Sequence, residues 1–106
     1  MSSLQYLNEK LSDAIYILTV HEGDACTRLA RAWHKLLILS PSSFPKELQK
    51  DYVWVKSMIK KGLKYKSRQS DSPLPNKLTG IQNRTARKII EKIVYIQCEI
   101  NLLLEN

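Results

Sequence analysis

The chain has 106 residues, 43% of them hydrophobic and 25% charged, with three Gly, four Pro and two Cys. That length supports one core and hardly a second, and the composition excludes a collagen-like, low-complexity or disulfide-scaffold chain. The formal charge of +7 cancels over residues 1–44 and leaves thirteen Lys or Arg against six Asp or Glu over residues 45–106, an asymmetry that bears on partners and not on fold.

Leu4, Leu7, Leu11, Ala14 and Leu18 recur at spacings of three and four, which places one apolar stripe on a helix over roughly residues 3–21. Gly23 supplies the left-handed residue that commonly follows a helix end. Asp24 then reads as the N-cap of a second helix, its carboxylate set against unpaired amides and the positive end of the dipole. Leu29, Trp33, Leu36 and Leu37 form the buried face of that helix, and Ser40-Pro41 stops it, because proline disfavours helical geometry at the residue before it.

Pro45 suits the first turn of a third helix, where a missing amide costs nothing. Leu48, Tyr52, Val55 and Ile59 make its stripe, with Trp54 and Met58 beside it. Gly62 followed by Leu63 resembles a Schellman stop and ends the helix near residue 61. The segment KYKSRQSDSPLPN that follows is polar, broken by Pro73 and Pro75, and reads as a mobile connector over about 64–77. A last helix is expected from about Thr79 to Leu104, at about 1.5 Å per residue a good deal longer than the other three, so that it overhangs them. Its main row is Ile89, Ile93, Ile96, Ile100 and Leu103, with Ile90 and Val94 beside it. No stretch alternates polar with apolar for long enough to make a strand. The expected architecture is a single all-α domain, an antiparallel four-helix bundle with a long C-terminal helix.

No apolar run approaches the roughly 20 residues that cross a bilayer, and Met1-Ser2-Ser3-Leu4-Gln5 lacks the basic and apolar regions of a secretion signal. The expected location is the cytoplasm, with no membrane partner. Cys26 and Cys98 fall inside helical patterns without disulfide or zinc spacing, and both read as reduced packing residues. His21 and His34 lie thirteen residues apart, and His21-Glu22 lacks the second histidine of a helical zinc protease site. With no glycine-rich phosphate loop and no nucleophile elbow, no catalytic residue, metal ligand or cofactor is assigned and the chain is not expected to be an enzyme.

Two features carry the functional expectation. The first is basic: Lys56, Lys60, Lys61 and Lys64 with Tyr65 close behind, Arg84, Arg87 and Lys88 at the start of the last helix, and Arg28, Arg31 and Lys35 on the second. Lysines with an interleaved aromatic grip phosphates and stack a base, and arginine binds phosphate bidentately. If the second and last helices lie side by side, the latter two sets join into one positive surface; the alternative is a set of solvated helix faces. The second feature is the row Ile89, Ile93, Ile96, Ile100 and Leu103, more apolar surface than three shorter helices cover. It is either a self-association seam like that of a coiled coil or the central helix of the monomer.

Three blocks, His21-Glu22-Gly23-Asp24-Ala25-Cys26-Thr27-Arg28-Leu29, Phe44-Pro45-Lys46-Glu47-Leu48 and Arg84-Thr85-Ala86-Arg87-Lys88-Ile89, resemble segments of small uncharacterised bacterial or mobile-element all-helical proteins. The resemblance implies a helical fold and such a source, and it brings no activity or site residues. The leading expectation is a non-enzymatic interaction module that forms a homodimer or binds a protein partner, such as a small regulator of a larger bacterial complex. The alternative is a basic nucleic-acid-binding accessory protein.

Overall fold

A computed structural model describes residues 3–63 and 78–105. They form four α-helices, α1 (Ser3–Val20), α2 (Ala25–Leu36), α3 (Lys46–Gly62) and α4 (Asn83–Glu105), with a 3-10 turn at Pro41–Ser43. The connector expected over 64–77 lies outside the described residues.

The leucine stripe of α1 is buried, with Leu7, Leu11 and Ala14 fully so. Gly23 has φ +114°, the conformation that only glycine adopts without strain. The next residue, Asp24, caps α2 by accepting the Thr27 amide at 2.9 Å. α2 stops earlier than Ser40-Pro41 implies, because the chain must turn to bury Leu39, which is 2% exposed, before Pro41 opens the 3-10 turn.

Phe44 comes out of that turn buried and stacks on Tyr52 with ring centroids 4.1 Å apart. The Tyr52 hydroxyl donates to the Leu36 carbonyl, a helix-end acceptor that would otherwise be orphaned. Burial pushes the Tyr52 phenol above its usual value, and the sign of its effect on stability follows. An unfolded tyrosine titrates near pH 10, so the stability this group contributes is complete below about pH 10 and is lost as pH rises towards the higher folded value. Thermal melting should therefore fall with alkaline pH, and Tyr52→Phe should flatten that fall. A variant with the same alkaline slope as the parent would remove Tyr52 as its cause.

Contacts between named residues set the directions of the helices. On α1 and α2, Arg28 Nη1 donates to the Leu18 carbonyl at 3.0 Å, while Lys35 lies 4.0 Å from Asp13. On α1 and α4, the Gln97 amide donates to Asn8 at 3.1 Å and Ser12 at 3.3 Å, whereas Asn83 donates to Asp24, just past the end of α1, at 3.2 Å. On α3 and α4, Asp51 pairs with Lys92 at 3.2 Å and the Gly80 amide reaches the Gly62 carbonyl at 2.8 Å. In each pair, advancing along one helix means retreating along the other. The end of α1, the start of α2, the end of α3 and the start of α4 therefore share one end of the molecule.

α4 packs against α1, α2 and α3, which makes it the central helix. Its row of Ile89, Ile93, Ile96 and Ile100 is at most 1% exposed. The row leaves the core only in the last turn, where Leu103 and Leu104, three and four residues beyond Ile100, are 40% and 37% exposed. The expected overhang is thus a single turn.

Gly62 overturns the Schellman reading. It is a buried helical residue of α3, and Leu63 after it remains right-handed with φ −82°. A Cβ there would lie 3.1 Å from Leu78 Cβ, so the small residue admits a crossing segment instead of a left-handed turn. That segment, residues 78–82, is a clip and not the start of α4. Leu78 is fully buried and its amide reaches the Cys26 carbonyl at 3.4 Å. Asn83 Oδ1 accepts the Cys26 amide at 3.0 Å, and Cys26 Sγ donates to the Ile81 carbonyl at 3.5 Å.

Candidate functional site

The helix directions sort the surface into two ends. At the first, Lys60 and Lys61 close α3 and Arg84, Arg87 and Lys88 open α4, all exposed. Arg84, Lys88 and Tyr95 fall at helical spacing on the side of α4 opposite Ala86, Ile89 and Ile93, so the core row and this outer row point apart. At the second end lie Tyr6, Leu102, Leu103 and Leu104, all exposed. The shorter α2 stops below them, since Lys35 faces Asp13 while Gln97 faces Asn8, so Leu37 and Ile38 are exposed level with the middle of α4. The basic end presents like charges to water, and the apolar end leaves surface that water does not favour.

The cations named from sequence separate into three groups. Lys60, Lys61, Arg84, Arg87 and Lys88 stand together at the basic end, while Arg31 is exposed on α2. Arg28, Lys35 and Lys56 are half-buried and engaged within the chain. Arg28 caps the end of α1 through Leu18, and its Nε is buried without a hydrogen-bond partner. Lys35 turns to Asp13, and Lys56 Nζ reaches the Leu39 carbonyl at 3.4 Å above the Tyr52 ring. Lys64 and Tyr65 lie outside the described residues.

α2 and α4 do pack together, and of the α2 cations Arg28 and Lys35 are engaged with Leu18 and Asp13 of α1, which leaves Arg31 as the exposed one. The self-association row meets the other helices instead of a second copy. Ile89, Ile93, Ile96 and Ile100 are spent on the monomer's own core, and of that row only Leu103 faces solvent.

One side of the α3–α4 pair was not legible beforehand. Trp54 is 37% and Tyr95 47% exposed, and Lys92 Nζ sits 5.3 Å from the centroid of the Tyr95 ring. The signal was available in Trp54 standing one residue before the core position Val55, but nothing in the sequence said which helix would lie next to it.

A shallow depression of about 230 Å³ on the other flank of α3 is lined by Pro41, Val53, Lys56, Ser57 and Lys60. Its Ser57 hydroxyl is turned back to the Trp54 carbonyl at 2.9 Å. His34 Nδ1 donates to the Arg31 carbonyl at 2.7 Å. Cys26 is buried, and Cys98, expected to be buried as well, is exposed on the outer row of α4. Among the described residues no three His, Cys, Asp or Glu side chains group as metal ligands would, and no helix is long and apolar enough to cross a membrane.

No family model matches the chain, and no curated protein or solved structure matches it at a significant level.

Proposed function

We propose that the chain is a non-enzymatic interaction module that docks a protein partner, the simplest being a second copy of itself, through its apolar end. The observation that carries this reading is the exposure of Leu102, Leu103 and Leu104 in the last turn of α4 and of Tyr6 near the start of the antiparallel α1. Burying one such side chain is worth about 1.5 to 3 kcal/mol, so a few of them offset the cost of association. The reading suits a small regulator of a larger assembly working in a reducing cytoplasm, where thiols such as Cys26 and Cys98 stay unoxidised. Sedimentation of the parent chain and of Leu103→Gln with Leu104→Gln tests it. The double variant should keep its helical content and associate at least about tenfold more weakly, about 1.4 kcal/mol at one lost contact. A parent chain that is monomeric at high concentration would remove the second copy as the partner.

A second reading, binding of a polyanion such as nucleic acid, is favoured by the exposure of Lys60, Lys61, Arg84, Arg87 and Lys88 at the opposite end. Such binding releases counterions, so its affinity should fall steeply with salt and show little sequence selectivity. Lys60→Glu with Lys61→Glu should reduce both the affinity and its salt dependence in a filter-binding series.

A further inference from the structure

The outer side of the α3–α4 seam alternates rings with cations, and what it fits rests on the polyanion reading just given. The Asp51–Lys92 ion pair at 3.2 Å fixes where the two helices face each other. Because α3 and α4 run in opposite directions, one turn onward along α3 brings Trp54 level with the turn of α4 that holds Lys88. Two further turns bring Lys61 to the very start of α4, about half a turn before Arg84, in line with the Gly80–Gly62 bond. One turn the other way along α4 stands Tyr95, with the Lys92 ammonium over its ring at 5.3 Å. Trp54 and Lys61 are seven residues apart, and Arg84, Lys88 and Tyr95 are four and seven apart, so each set keeps one helix face. From Arg84 to Tyr95 the tract is about 17 Å long at 1.5 Å per residue.

The charge along it is graded. Asp51 is neutralised by Lys92, Glu91 lies within the tract on the outermost face of α4 between Lys88 and Tyr95, and Glu47 and Glu99 follow beyond Tyr95, so phosphates are held at the Arg84–Lys88 half and the Tyr95 half offers a ring rather than a cation. Trp54 and Tyr95 leave 37% and 47% of their surfaces in water while the neighbouring core positions Val55 and Ile96 are fully buried, so each ring has a face open to a ligand.

We propose that this seam binds single-stranded nucleic acid, with Arg84, Lys88 and Lys61 taking backbone phosphates and the Trp54 and Tyr95 rings stacking on unpaired bases. A repeating chain of phosphates and planar bases meets both elements of the tract. A duplex keeps its bases stacked inside and leaves the rings without a partner, and an acidic peptide carries the charge without a planar group in its repeat.

Intrinsic fluorescence tests it on the full chain with an oligothymidylate at low salt. The protein has two tryptophans, and Trp33 is buried at 7% exposure, so Trp54 is the reporter that a stacked base quenches. Binding should quench the emission and weaken with added salt. Trp54→Ala should cost about tenfold in affinity, read by anisotropy of a labelled oligonucleotide, in line with a single lost stacking contact. Arg84→Glu with Lys88→Glu should reduce both affinity and salt slope, with circular dichroism confirming that each variant is folded. Binding that is unchanged by Trp54→Ala and equal for duplex, polyglutamate and oligothymidylate overturns the seam while leaving a polyanion surface elsewhere. Failure to bind oligothymidylate at low salt while duplex or polyglutamate binds overturns the seam alone, and failure to bind any of the three overturns the seam and the polyanion reading together.

Discussion

Ile96→Ala is expected to lower the stability of the chain by about 2 to 5 kcal/mol, and Ile96→Asn to prevent folding, while Leu103→Ala changes stability by less than about 1 kcal/mol. Ile96 is fully buried, in the row of the helix that packs against all three others. Truncating it loses the transfer free energy of its methyl groups and leaves a cavity that three backbones cannot all relax into. An amide at the same site would be buried away from water at a further cost. Against a total of about 5 to 15 kcal/mol for an ordinary domain, either change consumes much of the margin. Urea unfolding followed by circular dichroism measures the difference. If Ile96→Ala instead left the monomer's stability intact and only separated subunits, the row would be an interface after all, and the description of α4 as a central helix would fail.

Gly80→Ala is the second large effect expected, a loss of about 2 to 4 kcal/mol, near the upper range for single substitutions. A Cβ at this position would stand 2.3 Å from the Lys61 carbonyl oxygen and 3.0 Å from that of Gly62. Both neighbours are backbone, so no side-chain rotation relieves the clash. The clip must move away from α3, which breaks the 2.8 Å bond from the Gly80 amide to the Gly62 carbonyl and leaves a helix-end acceptor orphaned. It also lifts Leu78 out of a site where it is fully buried. Gly62→Ala should be milder, because its Cβ would meet the Leu78 side chain at 3.1 Å, which has some freedom to shift. Thermal melts of the two variants distinguish them. A Gly80→Ala protein within about 0.5 kcal/mol of the parent, the usual range of neutral surface changes, would show that the clip is not held this closely.

The helices themselves were determined by local sequence. A stripe of leucines or isoleucines at spacings of three and four forms the same amphipathic surface in any context. Asp24 as a cap and Gly23 as a left-handed hinge needed only the few residues around them, and both stand as read. Position along the chain does not say what lies across from a residue, and that part came from the tertiary structure. The isoleucines of α4 look alike in sequence as a seam or as a core, and their burial follows only because α1, α2 and α3 all close on that helix. Gly62 matches a stop signal locally, yet it is small because Leu78 crosses it, and Leu78 arrives from the far side of a polar connector. Lys35 and Lys88 have equal charge and similar helical positions, but Asp13 of another helix engages the first, whereas the second faces water. The α4 neighbours of Trp54 followed only once the Asp51–Lys92 pair set which turn of α4 lies beside it. Periodicity is a property of about a dozen neighbouring residues, whereas packing, exposure and charge pairing depend on residues brought together from distant parts of the chain.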